Sequence, residues 1–271
     1  MSNSTKYLLL FCCCSISCVP SPEQAEANSG IVANNAEDVV IEYIAHASFL
    51  LKYNDYTLLL DPFADTTWIS YFFPRDIEAD AIFSTHPHYD HDGGIFRHLD
   101  PYWQGKIPFY QEPGEYTIGD FKMTGIKGKH SEPYGKEFGQ RNTIFLYDVA
   151  GIRFCHWGDN GPVNDTIAPF LTNIDVLMLP IDDTYHILKA DEVAAIIAHI
   201  KPRIIIPMHY RIAELEPTPG KPKNLGPVDE YIDARDNVNK LKGNTYTINK
   251  EKLPEKEQYI LFRHSAKVKS M

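Results

Sequence analysis

The sequence predicts a mixed α/β domain, and two observations support this prediction. The first is a series of short apolar runs bounded by turn residues, as is typical of β-strands. These runs cover residues 39–43, 48–53, 56–60, 81–83, 107–110, 143–149, 151–155, 175–180, 203–206 and 258–262. The second is the segment 191–200, which predicts an amphipathic helix because its aliphatic side chains recur on one face.

Residues typical of turns separate these predicted elements along the chain. His46 and Asn54-Asp55 separate the first three runs, so an antiparallel meander opens the domain and ends at Asp61-Pro62. Gly93-Gly94 predicts a turn from which a short helix begins near residues 95–99. A glycine-punctuated β-region is expected at residues 116–127, and residues 143–155 read as a hairpin.

Length and charge limit the class of protein. The chain has 271 residues, 44% of them hydrophobic, which is enough for one large domain with a substantial core. The formal net charge of −10 disfavours nucleic acid as a partner, because polyanions are repelled. We therefore expect a small-molecule substrate, and the sequence leaves the oligomeric state open.

The N-terminus predicts export. Residues 1–18 have one charge, Lys6, followed by an apolar run and small residues, as in a signal peptide. Residues 15–18 resemble a bacterial lipoprotein cleavage box, which would anchor the protein to a membrane through lipidated Cys18; ordinary cleavage near Cys18 is the alternative. Either way the protein would be periplasmic or membrane-anchored. Residues 19–37 are predicted to be a flexible tether, and residues 38–271 the folded domain. An exported domain would keep only Cys155, which excludes an internal disulfide.

Three imidazoles and a carboxylate lie within six residues of one segment. They are His86, His88, Asp90 and His91, between an apolar run and the Gly93-Gly94 turn. His86 and His88 alternate, so in an extended segment both can face one ion. A histidine-rich surface loop without metal is the alternative. The density of ligands favours a metal site, because neutral imidazole is the commonest metal ligand.

The pattern His86-x-His88-x-Asp90-His91 resembles the HxHxDH signature of the metallo-β-lactamase superfamily. Residues 46–49 and 207–210 resemble the "GHAS" and "PMHY" elements of its ascorbate-phosphate lactonase-like branch, although Ala45 replaces the usual glycine. The resemblance covers about residues 38–262. It implies a four-layer αββα sandwich with two metal ions at one edge, between the sheets.

The resemblance also implies the remaining metal ligands. His130 matches the third histidine of the first metal, with His156 as its rival, and Asp159 matches the aspartate that bridges both metals. His209 completes the second metal, together with Asp90 and His91. His186 matches a position bordering the substrate and is predicted to contact substrate or metal; a solvated loop histidine is the alternative. His46 is predicted to support the site or to be structural rather than to bind metal, and contact with substrate is the alternative.

The ligand set predicts hydrolytic chemistry. Two divalent ions held by imidazoles and carboxylates leave room for a water whose pKa falls to about 7, so a metal-bridging hydroxide is the expected nucleophile and Asp90 orients it. Zinc is the expected metal, with manganese or iron as alternatives. The bond expected to be hydrolysed in the substrate is an ester or lactone, an amide or a phosphoester. A phosphodiesterase of phospholipid or nucleotide type, or a non-enzymatic metal-binding protein, is the alternative. The aromatic residues in 66–75 either wall the site or pack in the core.

Overall fold

The computed structural model describes residues 38–65, 68–95, 105–131, 136, 139–181, 187–215 and 225–271, without the side chain of Glu230. In these segments the strands are β1 (Val39–Ala45), β2 (Ser48–Tyr53), β3 (Tyr56–Leu60), β4 (Tyr71–Phe72), β5 (Ala81–Phe83), β6 (Phe109–Tyr110), β7 (Gly114–Ile118), β8 (Phe121–Lys129), β9 (Arg141–Val149), β10 (Ile152–His156), β11 (Val176–Pro180), β12 (Ile204–Met208), β13 (Val238–Lys240), β14 (Thr245–Ile248), β15 (Gln258–Leu261) and β16 (Lys269–Ser270). The α-helices are α1 (Ala190–Ile200) and α2 (Asp229–Asp233), and short 3-10 helices cover Ala168–Phe170, Ala213–Leu215 and Lys250–Lys252.

Most of these strands form two sheets. The six-stranded sheet has the order β14-β1-β2-β3-β5-β6, and the eight-stranded sheet has the order β13-β15-β12-β11-β10-β9-β8-β7. Consecutive strands pair antiparallel in β1-β2-β3 and in β7-β8-β9-β10, where all connections except residues 130–140 between β8 and β9 are tight turns. Strands joined by longer connections pair parallel, as in β10-β11-β12. The short strands β4 and β16 form a separate antiparallel pair.

The two sheets pack face to face over one hydrophobic core. Phe83 of β5 contacts Phe145 and Tyr147 of β9, with ring centroids 5.3 and 5.7 Å apart. Tyr53 of β2 contacts Phe121 of β8 edge-on. The described core is one contiguous cluster that includes residues of both sheets. Burial of this cluster is the main stabilising term, because each fully buried aliphatic or aromatic side chain contributes roughly 1.5–3 kcal/mol.

Helix α1 is the crossover between the parallel strands β11 and β12. Its predicted apolar face is buried and consists of Val193, Ile196, Ile197 and Ile200. The backbone amide of Lys201, in the left-handed conformation, donates to the carbonyl of Ile197 and ends the helix. Helix α2 meets β15 through the hydroxyls of Tyr231 and Tyr259, 3.2 Å apart. Both described α-helices therefore lie against the eight-stranded sheet.

The predicted elements agree with the structure in most places, and the exceptions involve long-range pairing. The strand predicted at 107–110 is confined to Phe109–Tyr110, and the β-region predicted at 116–127 is the β7–β8 hairpin. The sequence did not predict β4, β13, β14, β16 or α2. β14, for example, pairs with β1 about two hundred residues away in the chain, and local periodicity carries no signal for such a partner.

Several predictions concern residues outside the described segments. They include the signal peptide, Cys18, the tether, His186 and most of the helix expected near residues 95–99. Within the described part of the chain, no helix is both long and apolar enough to cross a membrane.

Candidate metal centre

The predicted site residues collect at one edge of the sandwich because of strand direction. β1 and β3 are both antiparallel to β2, and β5 is parallel to β3, so the C-terminal ends of β1, β3 and β5 lie together. The pairings of the second sheet bring the ends of β8, β10 and β12 together in the same way. The residues that follow these six ends are His46, Asp61, the segment 84–94, His130, Asp159 and His209.

One group of four side chains could hold a metal ion: His86, His88, His130 and Asp159. The Nε2 atom of His86 lies 3.0 Å from Nδ1 of His88 and 3.7 Å from Oδ2 of Asp159. The Nε2 atom of His130 lies 3.5 Å from the same carboxylate oxygen. Two ligands about 2.0–2.1 Å from one tetrahedral zinc ion stand roughly 3.4 Å apart, so these spacings fit an ion between them.

A second group could also hold an ion and consists of His46, Asp90, His91 and His209. The Oδ2 atom of Asp90 lies 3.4 Å from Nε2 of His91 and 3.8 Å from Nε2 of His209. It also lies 3.0 Å from Nε2 of His46. The sequence did not predict His46 to be in a ligand group, although it placed this residue near the site.

Asp159 lies between the two groups. Its Oδ1 atom is 3.3 Å from Nε2 of His91, and its Oδ2 atom is 3.4 Å from Nε2 of His209 and 3.5 Å from Nε2 of His130. Gly158 makes this position reachable because its φ is +58° and an added Cβ would lie 2.6 Å from the side chain of Thr85. One carboxylate can therefore serve both groups, which is the position predicted for a bridging residue.

The buried charges of the centre stabilise one another. Burial alone would raise the pKa of Asp159, but His209 and His91 outweigh this effect and hold the pKa well below its ordinary value. Burial alone would lower the pKa of His91, but the carboxylates of Asp159, Asp90 and Asp61 raise it well above its ordinary value. These carboxylates therefore favour the charged form of His91 when no ion is bound.

In the first group, burial outweighs the neighbouring charges in setting the pKa values of two histidines. Burial is the largest effect on the pKa of His86 and of His88, and it lowers both. Neutral imidazoles carry a lone pair, which is the form that binds a metal ion.

Three buried atoms of the centre have no hydrogen-bond partner among the described residues; they are His91 Nε2, His130 Nε2 and Asp159 Oδ1. Buried polar atoms are rarely left unpaired, so this arrangement fits a cation.

Asp61, whose role the sequence did not predict, orients a ligand in each group. Its Oδ2 atom accepts from Nδ1 of His91 at 2.6 Å and from the hydroxyl of Thr85 at 2.7 Å. Because that hydroxyl donates to Asp61, it accepts the proton of His86 Nδ1, 2.9 Å away. Both histidines therefore point Nε2 into the centre. The signal in the sequence was an aspartate directly after an apolar strand, which also occurs at ordinary turns.

The structure distinguishes His130 from His156, the two rivals for the first group. Nδ1 of His130 lies 2.8 Å from the carbonyl of Ser131 and donates to it, which leaves Nε2 for an ion. His156 uses both ring nitrogens on the backbone: Nε2 donates to the carbonyl of Ala47 at 2.9 Å, and Nδ1 accepts from the amide of Gly158 at 3.3 Å. His156 has no nitrogen left for a metal and lies in neither group.

The aromatic segment divides between the two predicted roles. The ring of Trp68 lies 5.9 Å from that of His46 and 6.4 Å from that of His209, so it forms a wall of the second group. Tyr71 and Phe73 are buried against Phe63 in the core. Of the other predicted site residues, His186 lies outside the described segments.

Cys155 is not a candidate nucleophile. Its side chain is fully buried in the core, and burial raises its pKa well above the usual range for a thiol. A thiolate is therefore not available near neutral pH.

Comparisons with known proteins place this geometry in a family. The family described as "Beta-lactamase superfamily domain" matches residues 40–209, from the first strand to the last histidine of the centre. Proteins described as "UPF0173 metal-dependent hydrolase" are similar in sequence. The one from Carboxydothermus hydrogenoformans is 26% identical over 63% of this chain and 84% of its own length. The one from Archaeoglobus fulgidus is 29% identical over 63% and 82%.

A solved structure is similar in fold. It is a metallo-beta-lactamase superfamily protein from Thermotoga maritima, with a TM-score of 0.60, 24% identity and coverage of 83% of this chain and 98% of its own. The predicted superfamily and its α/β sandwich are thus confirmed: this chain belongs to the metallo-β-lactamase superfamily.

Proposed function

We infer that the protein is a metal-dependent hydrolase with two metal ions. His86, His88, His130 and Asp159 would hold the first ion. Asp90, His91 and His209 would hold the second, together with Asp159, whose carboxylate lies 3.3 Å from His91 and 3.4 Å from His209. The observation that carries this proposal is the position of Asp159, whose two oxygens lie within 3.5 Å of histidines from both groups. The description of the similar proteins as metal-dependent hydrolases supports the same class of reaction.

The metals would supply Lewis acidity and would lower the pKa of a water toward about 7. The chain's own residues do the rest. The neighbouring histidines hold the pKa of Asp90 well below its ordinary value against the effect of burial, so this side chain is a carboxylate that accepts hydrogen bonds. We assign to Asp90 the role of orienting the attacking water. Zinc suits this donor set, and manganese or iron bind the same ligands.

The substrate would be a small molecule with an ester, lactone, amide or phosphoester bond. A cavity of about 440 Å³ adjoins His130 and is lined by Ser131, Asn164, Ile187 and other residues. This volume is in the range of small-molecule sites. The predicted N-terminal signal adds the proposal that the enzyme acts outside the cytoplasm, free or anchored through Cys18.

Measurement of the metal content tests this function. Purified protein should hold close to two ions per chain, and His130→Ala should lose affinity at the first site. His156→Ala is the comparison for the first site only, because it removes a buried histidine of the same edge whose nitrogens both bond to backbone; an equal loss at the first site would make His156 the third histidine instead. A folded wild-type protein that holds at most one ion would contradict the dinuclear assignment.

A panel of substrates then separates the alternatives. Lactones, simple esters, amides, phosphomonoesters and phosphodiesters should be tested with metal-loaded protein and with the Asp90→Asn variant. Turnover of one class that Asp90→Asn abolishes would support the hydrolase. Tight binding of two ions without turnover of any class would favour the non-enzymatic alternative.

A further inference from the structure

His46 lies in the tight turn between β1 and β2, with a backbone conformation that few residues adopt. Its φ is +58°, and His209, in contact with it, has a φ of +62°. The two rings lie 4.1 Å apart, and the amide of His209 donates to the carbonyl of His46 at 2.9 Å. Non-glycine residues in this region are strained and persist only where surrounding contacts fix them. The turn is therefore held in one position against the metal centre.

Three bonds from different elements fix this turn. The hydroxyl of Tyr43 donates to the carbonyl of His46 at 3.1 Å, in addition to the amide of His209. Nε2 of His156 donates to the carbonyl of Ala47 at 2.9 Å. His156 ends β10 and His209 follows β12, both in the eight-stranded sheet, whereas the turn joins two strands of the six-stranded one. The turn thus connects the two sheets beside the metal centre, and this explains the role of His156, which lies near the ligands without being one.

Hydrogen bonding determines which nitrogen of His46 carries the proton. Nδ1 is buried and has no hydrogen-bond partner among the described residues, whereas Nε2 lies 3.0 Å from Oδ2 of Asp90. An ionised carboxylate has only acceptor oxygens, so the hydrogen bond between Nε2 of His46 and Asp90 must be donated by the imidazole. The proton is therefore on Nε2 and points at the carboxylate. A nitrogen that carries a proton cannot bind a metal ion.

We propose that His46 is a positioning residue that donates Nε2–H to Asp90 and fixes the carboxylate toward the second metal. This inference rests on the proposed function. It differs from the simplest use of the four-residue group, in which His46 would itself be a ligand. Asp90 is held by His46 on one side, while the same oxygen faces His91 and His209. Residues that bond to metal ligands in this way typically change metal affinity or activity 10–100-fold when removed.

The experiment compares His46→Ala, His46→Gln and Tyr43→Phe with the wild type. The Gln amide nitrogen can occupy the position of Nε2 and donate to Asp90, but it is a weak metal ligand. The control Tyr43→Phe removes a bond that holds the turn without touching Asp90. Each folded variant is titrated with zinc against a competing chelator to obtain both affinities. Cobalt(II) is then substituted, because its absorption spectrum reports the number of ligands.

The expected result is selective. His46→Ala should lose about 10–100-fold in affinity for the second ion, and His46→Gln should recover most of this loss. Tyr43→Phe keeps two of the three bonds to the turn and the bond to Asp90, so its loss should be much smaller than that of His46→Ala. The cobalt spectrum should be the same in all four proteins. If His46→Ala and His46→Gln lost the same affinity for the second ion and the cobalt spectrum changed in both, His46 would be a ligand and the proposal would be overturned. Wild-type affinity in His46→Ala, or a loss in Tyr43→Phe as large as in His46→Ala, would also overturn it. A wild-type protein that binds fewer than two ions contradicts the proposed function instead.

Discussion

Asp61→Asn should weaken both metal sites and the fold, although Asp61 is in neither ligand group. Its side chain is fully buried. Oδ1 accepts from the amide of Thr85 at 2.7 Å, and Oδ2 accepts from the hydroxyl of Thr85 and from Nδ1 of His91. Asparagine has the same shape but replaces one acceptor oxygen with an NH₂ donor. In one orientation this donor faces the amide of Thr85, and in the other it faces His91.

The magnitude follows from these bonds. The substitution removes a charge-assisted hydrogen bond, which contributes about 1.5–3 kcal/mol, and leaves a buried donor unsatisfied at a cost of about 1–3 kcal/mol. The sum agrees with the roughly 3–5 kcal/mol lost when one partner of a buried ion pair is removed. Metal affinity should fall about 10–100-fold at both sites, because Asp61 orients His91 directly and His86 through Thr85.

Urea denaturation of metal-free protein measures the first effect, and chelator competition with zinc measures the second. Asp120→Asn is the matched control, since Asp120 accepts a bond from Asn54 on the surface and its loss should change the free energy of unfolding by at most about 1 kcal/mol. The reasoning would be refuted if the free energy of unfolding of Asp61→Asn were within about 1 kcal/mol of that of the wild type. It would also be refuted if only the second site weakened, because the connection to His86 would then be absent.

Four further predictions concern other parts of the chain. Asp90→Asn should reduce turnover at least about a hundredfold on whichever substrate is found, whereas folded, metal-loaded Cys155→Ala should keep its turnover; the opposite pattern in steady-state kinetics would favour a thiolate mechanism. Burial raises the pKa of Cys155, so the stability that this thiol contributes is present below its unfolded pKa of about 8.5 and is lost as the pH rises. In denaturation at pH 9, 10 and 11, Cys155→Ala should therefore lose less stability than the wild type, by up to about 1.4 kcal/mol per pH unit, and parallel pH profiles would contradict this. Gly158→Ala should lower the melting temperature and the metal content together, because its Cβ would lie 2.6 Å from Thr85 at a φ of +58°; a wild-type metal content would show that this turn can shift. Mass spectrometry of the native N-terminus should find a lipidated start at Cys18 or an unmodified start nearby, and an intact Met1 would exclude export by this signal.

The sequence predicted the parts of the centre that depend on local spacing. His86, His88, Asp90 and His91 are close in the chain, so one loop conformation brings them together regardless of how the rest folds. His130, Asp159 and His209 were predicted only through the resemblance to a family. Their meeting depends on strand order and direction, which no local pattern specifies. For the same reason the strands that join late in the chain, such as β14, were not predicted.

Asp61 and His46 show a different limit. Both were noticed as residues at the ends of strands, but an aspartate before a proline and a histidine in a hairpin turn have many ordinary uses. Their roles depend on hydrogen bonds to residues 24 to 44 positions away, namely Thr85, His91 and Asp90. Such partners can be identified only when distances are known.

The choice of the proposed ligands in this centre depends on which histidine nitrogens already have hydrogen-bond partners. His86, His91 and His130 each give the proton of Nδ1 to an oxygen, of Thr85, Asp61 and Ser131 respectively. Each therefore points Nε2 toward the space around Asp159, where it can bind an ion once it is unprotonated. His156 has the same burial and lies at the same edge, but both of its nitrogens bond to backbone groups. A histidine that donates one N–H to an oxygen outside the two groups can present its other nitrogen to an ion, whereas partners on both nitrogens make a histidine part of the scaffold. By this criterion a substitution that removed the partner of His130 Nδ1 would weaken the first site, whereas no change around His156 would turn it into a ligand while the β1–β2 turn stays docked.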